Sequence, residues 1–123
     1  MIPDKMLEIL KYEGVVAIAT MGGDGPHMVN TWNSYIVVTQ DGHLLLPVGG
    51  MIRTEANVGK NNNILLTLGS REVEGFHGPG AGFLIKGTAV FIKSGEQFDI
   101  VKKRFSWARA AMEITILSAT QTL

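Results

Sequence analysis

Val15-Val16-Ala17-Ile18-Ala19, then Gly22-Gly23-Asp24-Gly25-Pro26, then His27-Met28-Val29-Asn30-Thr31-Trp32-Asn33-Ser34-Tyr35 carries the first decision about the fold. The opening run is apolar and partly β-branched, the pattern of a buried strand. The Gly/Asp/Pro cluster is turn chemistry. The chain then resumes as a strand expected from about His27 to Thr39. Strands joined by so short a turn pair antiparallel, because a parallel return needs a crossover of about a dozen residues or more. Asp41-Gly42 repeats the device as a two-residue hairpin turn, with the return strand over Leu44 to Val48.

The flanks fill in the rest. Residues 4–12 are expected as a short helix, N-capped by Asp4, with Met6, Leu7 and Leu10 on one face. Gly49-Gly50 breaks the strand before it, and a second helix is expected over Met51 to Val58, closed by Gly59. Asn63 to Leu68 and Phe83 to Ile92 are expected strands on either side of a Gly-rich loop from Gly75 to Gly82, with a bulge at Gly87. Gly95 to Phe105 is an amphipathic helix with Phe98, Val101 and Phe105 inward, and Met112 to Leu117 is a last strand. Six strands and three short helices give a mainly β (α+β) class, and six strands in one small domain over residues 1–123 are expected to close into a barrel.

Composition narrows the function classes. Eleven Lys and Arg balance eleven Asp and Glu, and only 18% of residues are charged. A disordered chain would be more charged and less apolar. A nucleic-acid binder would carry excess positive charge or a basic stripe. With no cysteine, disulfides, Cys-ligated metal clusters and thiol chemistry are excluded. A neutral, charge-poor surface keeps a protein monomeric poorly, so part of it is expected to be covered. The start Met-Ile-Pro-Asp-Lys lacks a signal-peptide core, and no run of about 18 apolar residues occurs. The expectation is a cytoplasmic protein that spans no membrane.

Two segments look chemical. Asn30, Thr31, Asn33 and Ser34 surround Trp32 and precede Tyr35, a neutral hydrogen-bonding and aromatic set suited to a polar aromatic ligand. The alternative is a solvent-facing strand anchored by its Trp. Simple alternation puts Trp32 and Tyr35 on opposite faces, so both reach one ligand only at a twist, a bulge or a sheet edge. Pro47-Val48-Gly49-Gly50-Met51 then opens a helix with Arg53 and Thr54 in its first turn. Free amides, helix dipole, Arg fork and hydroxyl together make a phosphate site. The alternative is a plain cap with an exposed Arg, and P-loop spacing is missing. His27, His43 and His77 sit in turn-like contexts with no ligand partner at metal spacing. Trp107 packs under a loop or walls a ligand. The end, Thr120-Gln121-Thr122-Leu123, frays or docks on another subunit.

The chain resembles the small FMN-binding proteins of anaerobic bacteria, which share the pyridoxamine-phosphate-oxidase-like split barrel. The likeness is carried by Glu13-Gly14-Val15-Val16-Ala17-Ile18-Ala19-Thr20, Asp24-Gly25-Pro26-His27, Val29 to Tyr35 and Pro47 to Met51. It continues through Thr54 to Val58, Thr67 to Arg71, Trp107 to Ala111 and Gln121-Thr122-Leu123. The resemblance implies a six-stranded antiparallel split β-barrel, a homodimer and bound FMN. It implies that Asn30, Thr31, Asn33 and Ser34 contact the FMN, with Trp32, Tyr35 and Trp107 around its ring. Pro47, Val48, Gly49, Gly50 and Met51 would line the pocket, Arg53 and Thr54 hold the phosphate, and Leu123 of the partner subunit cover the flavin. The family pattern has Lys where this chain has Arg53, which can bind phosphate bidentately. Residues 92–106 match less well, and Glu13 receives no role.

The activity so implied is electron transfer with redox partner proteins rather than conversion of a substrate, since no acid or base is evident at the site. A flavin reductase or NAD(P)H-linked oxidoreductase on the same barrel, an FMN carrier without turnover, and a barrel holding another phosphate ligand remain open.

Overall fold

Only Gly23 and Asp24 separate the first two strands, and this tight turn starts the sheet. In a computed structural model, which describes residues 2–123 and so leaves the first residue of the expected domain outside, β1 (Val15–Gly22) pairs antiparallel with β2 (Gly25–Trp32). The register is unbroken from Val15 opposite Trp32 to Gly22 opposite Gly25. The other strands are β3 (Val37–Val38), β4 (Leu44–Val48), β5 (Asn63–Gly75), β6 (Gly78–Ile92) and β7 (Ala110–Gln121). Hydrogen bonding runs in the order β2-β1-β5-β6-β7-β4-β3, every pairing antiparallel. Among the described residues β2 and β3 share no ladder, so the sheet does not close fully and stays split, as a split barrel requires.

Period-two burial builds one core inside this sheet. Val16 and Ile18 of β1, Ile64, Leu66 and Leu68 of β5, Phe83 and Ile85 of β6, and Met112 and Ile114 of β7 meet there. In β4 every residue is buried: Leu44, Leu46 and Val48 face this core. Leu45 faces a second one with Val101, Ala108 and Ala111, roofed by α3 (Glu96–Arg104). A strand covered on both faces needs no polar alternation.

Several boundaries differ from expectation. The strand expected over 27–39 is cut by a 3₁₀ turn at Asn33–Tyr35, which makes seven strands of six. The Gly-rich stretch is no loop, since β5 and β6 continue to a two-residue turn at Phe76-His77. Glycine marks bulges and close approaches within strands as well as turns, and here the ladder shifts register between Ser70 and Glu74. The expected bulge at Gly87 is present as a second shift. Helix α1 spans only Asp4–Ile9; Pro3 stands at its N-cap, no side chain caps it, and Met6 and Ile9, not Leu7, are the fully buried pair. Helix α2 (Ile52–Lys60) starts after Met51 and runs past Gly59. The chain end does not fray: Thr122 N–H donates to Gly82 O at 2.8 Å, and Gly82 N–H to Leu123 O at 3.2 Å.

Gly14 is fixed by space. A Cβ there would stand 2.6 Å from Gly69 O and 2.8 Å from Asn33 Nδ2. At Gly23 nothing lies within 4 Å. Gly14→Ala is therefore expected to lower stability by roughly 1–3 kcal/mol through overpacking. Gly23→Ala is expected to stay near wild type, and urea unfolding of the two variants side by side checks the contrast.

Candidate functional site

Trp32 and Tyr35 do reach one place, because β2 is the sheet edge and ends in the 3₁₀ turn. The turn is held by Asn33, which is buried. Its Nδ2 donates to Tyr12 O at 3.0 Å and Gly69 O at 3.1 Å, and its backbone N–H donates to Gly14 O at 2.9 Å. Its Oδ1 is buried without a partner among the described residues. Ser34, next along, faces Glu13: its hydroxyl donates to Oε2 at 2.7 Å and its N–H to Oε1 at 3.1 Å. These bonds, led by the hydroxyl, hold the Glu13 carboxyl below the usual carboxylate range. Arg104 donates to Ser34 O at 3.1 Å and lies over the Phe105 ring.

Across the cavity, β4 leaves the sheet through Gly49-Gly50 into α2. Met51 takes a left-handed conformation, φ 58° and ψ 37°, unusual for a residue with a Cβ. Gly49 allows a close approach, since a Cβ there would stand 3.2 Å from Trp107 Cζ3. Tyr35, Phe105 and Trp107 form an aromatic triangle with centroids 4.9 to 5.8 Å apart. Arg109, two residues beyond Trp107, donates into the carbonyls of Gly49 and Gly50 and pairs with Glu55 at 2.8 Å.

Between these walls lies a cavity of about 350 Å³. Its lining is Val29, Asn30, Thr31, Trp32 and Tyr35 from one side, and Pro47, Gly49, Gly50, Met51 and Trp107 from the other. Size does not single it out: an apolar groove over Met21, Leu65 and Leu117 holds about 410 Å³. Chemistry does. Trp32 and Trp107 are 43% and 51% exposed, and large aromatic faces left half in water beside a glycine turn mark a ligand wall.

The other expected site residues stand apart from this lining. Asn33 spends its amide on the fold, Ser34 holds Glu13, and Val48 is buried in the core. Arg53 is exposed and makes one long contact, 3.3 Å, to Asp24. Thr54 is 1% exposed in the first turn of α2, with its hydroxyl unpartnered among the described residues. Leu123 sits at a different cavity with Glu13, Gly69 and Gly80. His43 has a carboxylate partner: its Nδ1 lies 2.9 Å from Glu113 Oε2. Among the described residues no His, Asp and Glu group of three or more forms a metal site, and no helix is long and apolar enough to cross a membrane. Sequence reasoning missed Val29, Phe105 and Arg109; the last stood two residues after Trp107 in a matched motif, yet the partners of its side chain are 54 to 60 residues away and spacing gives no hint of them.

Glu55 accepts from Lys93 at 2.8 Å and from Arg109, which hold its carboxyl below the usual range, Lys93 foremost. A native pKa lowered by pairing stabilises the fold above the ordinary carboxylate range, and that contribution is lost as pH falls through the native value. Glu55→Gln is expected to flatten the acid limb of the stability profile, read as the change in urea midpoint between about pH 6 and pH 3. A limb as steep as wild type counts against the pairing.

A family model described as pyridoxamine 5'-phosphate oxidase matches residues 2–122. An FMN-binding protein of Nitratidesulfovibrio vulgaris (strain DSM 19637 / Miyazaki F) is 57% identical over 123 residues, covering all of both chains. Among solved structures, an H111A variant of HupZ from Group A Streptococcus superposes with a TM-score of 0.80 at 18% identity, covering 99% of this chain and 100% of that one. An FMN-binding protein from Syntrophomonas wolfei subsp. wolfei gives 0.73 at 14% identity, covering 98% and 85%. At those identities the two structures speak for the fold alone. With one family model spanning nearly every residue and an end-to-end relative at 57% identity, the chain belongs to the pyridoxamine 5'-phosphate oxidase family.

Proposed function

We propose that this chain binds FMN in the cavity between the end of β2 and the Pro47–Met51 turn, and carries electrons between redox partner proteins as a homodimer. The observation that carries the reading is convergence. Two segments about fifteen residues apart and a third near the C-terminus, each expected to contact flavin, line one cavity whose two Trp rings are half exposed. The 57% identical relative is itself named for FMN binding.

The donor set fits the group. Trp32 and Trp107 offer aromatic faces to a planar ring. Asn30 and Thr31 bring neutral donors and acceptors for its polar edge. The orphaned Thr54 hydroxyl, the first-turn amides of α2 and the exposed fork of Arg53 suit a phosphate. Bound FMN supplies one- and two-electron chemistry, and the protein supplies orientation and electrostatics. Apart from the Tyr35 phenol the walls hold no titratable side chain, which favours electron transfer over substrate conversion.

A second copy is supported by the sheet's outer face. Met28 lies opposite Ala19, and Ala19 opposite Leu65, in one row across β2, β1 and β5. With Met21 and Leu117 this row leaves an apolar groove open to water; contiguous apolar surface of this kind marks an interface. Leu123 is held to Gly82 by its backbone, lies apart from the cavity lined by Trp32 and Trp107 and is 54% exposed, which supports a role against the flavin of the partner subunit.

Titration with FMN tests the core of the proposal, with quenched Trp fluorescence and bound flavin colour as the expected result; neither signal changing would sink it. Trp32→Ala is expected to weaken FMN binding by roughly 1–3 kcal/mol through lost aromatic contact. Arg53→Ala should weaken FMN and spare riboflavin, which lacks the phosphate. Walls of aromatic and neutral groups compensate poorly for the negative charge that reduction adds. Potentiometric titration should therefore give a midpoint below that of free FMN. Sedimentation is expected to show a dimer that Leu117→Lys splits. NAD(P)H oxidation at an enzyme-like rate would favour a reductase instead.

A further inference from the structure

We infer that Arg109 builds the phosphate-facing turn and does not itself bind the phosphate. This rests on the phosphate reading of the Gly49–Thr54 segment above, and it names the residue that sets the preference of that site for a phosphorylated flavin.

The turn has an odd economy. Helix α2 has no side-chain cap, and its N-cap residue, Met51, is left-handed. Something outside the turn must hold it, because a strained conformation persists only where its surroundings over-determine it. Arg109 meets that need from β7's approach. Its Nε donates to Gly49 O at 2.9 Å and to Gly50 O at 3.2 Å, and its Nη2 to Gly50 O at 2.6 Å. Its backbone N–H donates to Val48 O at 2.8 Å. Three successive carbonyls are thus drawn to one residue. A trans peptide is planar, with C=O and N–H pointing opposite ways. Holding the Gly49 and Gly50 carbonyls therefore turns the Gly50 and Met51 N–H groups away from the guanidinium, leaving them for a ligand.

Charge follows the same logic. Glu55 lies in the first turn of α2, where a bare carboxylate would repel an anion arriving at the helix N-terminus. Arg109 Nη1 and Lys93 Nζ each sit 2.8 Å from one of its oxygens. Two cations on one carboxylate leave the cluster net positive. Each nitrogen of the Arg109 fork already bonds the protein, which fixes the guanidinium behind the turn and leaves only the second hydrogens of Nη1 and Nη2 uncommitted. Arg53, 57% exposed, makes one contact of 3.3 Å through Nη1 and has no other bond from its fork among the described residues. Arg109 shapes and Arg53 binds.

The test is parallel titration of wild type, Arg109→Gln and Arg109→Lys with FMN and with riboflavin, read by Trp fluorescence, with circular dichroism reporting the fold. Arg109→Gln is expected to lose about tenfold or more in FMN affinity while riboflavin stays within about twofold, the scale on which supporting residues act. Arg109→Lys, which keeps the charge without the fork, should fall between. A wild-type FMN-to-riboflavin ratio in Arg109→Gln, whether both affinities hold or both fall together, overturns the inference. If that variant does not fold, Arg109→Lys decides alone, and a wild-type ratio there overturns it. Equal affinities in the wild-type protein would instead sink the phosphate reading, and the inference with it.

Discussion

Asn33 sends both hydrogens of its amide into backbone carbonyls far from it in sequence, Tyr12 O at 3.0 Å and Gly69 O at 3.1 Å, while its own N–H closes on Gly14 O. Buried carbonyls left without donors are costly, so this one side chain ties the segment before β1 and the middle of β5 to the end of β2. Gly14 leaves the room it needs. The pinned chain cannot continue as a strand. It turns through Asn33–Tyr35, and that turn brings Tyr35 beside Trp32 at the cavity and Ser34 onto Glu13. The split between β2 and β3, and with it the opening of the cavity, follows from the same turn.

The opposite wall is controlled from a distance too. The Gly49–Met51 turn has no local device that makes it take its shape, and Arg109 supplies one from some sixty residues on. Both walls therefore share a plan. A short irregular segment that faces the cavity is held from behind by a polar side chain that does not. Rigid support behind a site keeps its geometry while leaving the front groups free.

The low charge content has a structural counterpart. Much of the polar inventory is spent on such internal ties, at Asn33, Asn57, Glu55 and Arg109. The sheet's outer face is left with Met21, Met28, Leu65 and Leu117 in water. Exposed apolar rows and neutral cavity walls are two reasons for few charges.

Strand alternation, the Gly23-Asp24 turn, the bulge at Gly87 and the three helices were legible in the residues themselves, because each is decided by neighbours a few positions away; a turn at Asp41-Gly42 was legible too, but the connection runs over residues 39–43, closed by Thr39 N–H on His43 O, and is not a two-residue hairpin. Trp32, Tyr35, the Gly49–Met51 turn and Trp107 were linked as a set only through the family resemblance, and they line one cavity. Glycines at 75 to 82 misled, since φ freedom permits both a loop and a bulged hairpin, and only pairing with the facing strand selects one. The break at Asn33, the roles of Arg109 and Glu55 and the place of Leu123 lay beyond reach. Local chemistry determined which segments become strands, turns and helices. Which side chains face the cavity and which brace the segments that do was decided only by the tertiary structure, because hydrogen bonds between Asn33 and Gly69, or Arg109 and Gly50, exist only once the sheet has brought distant residues together.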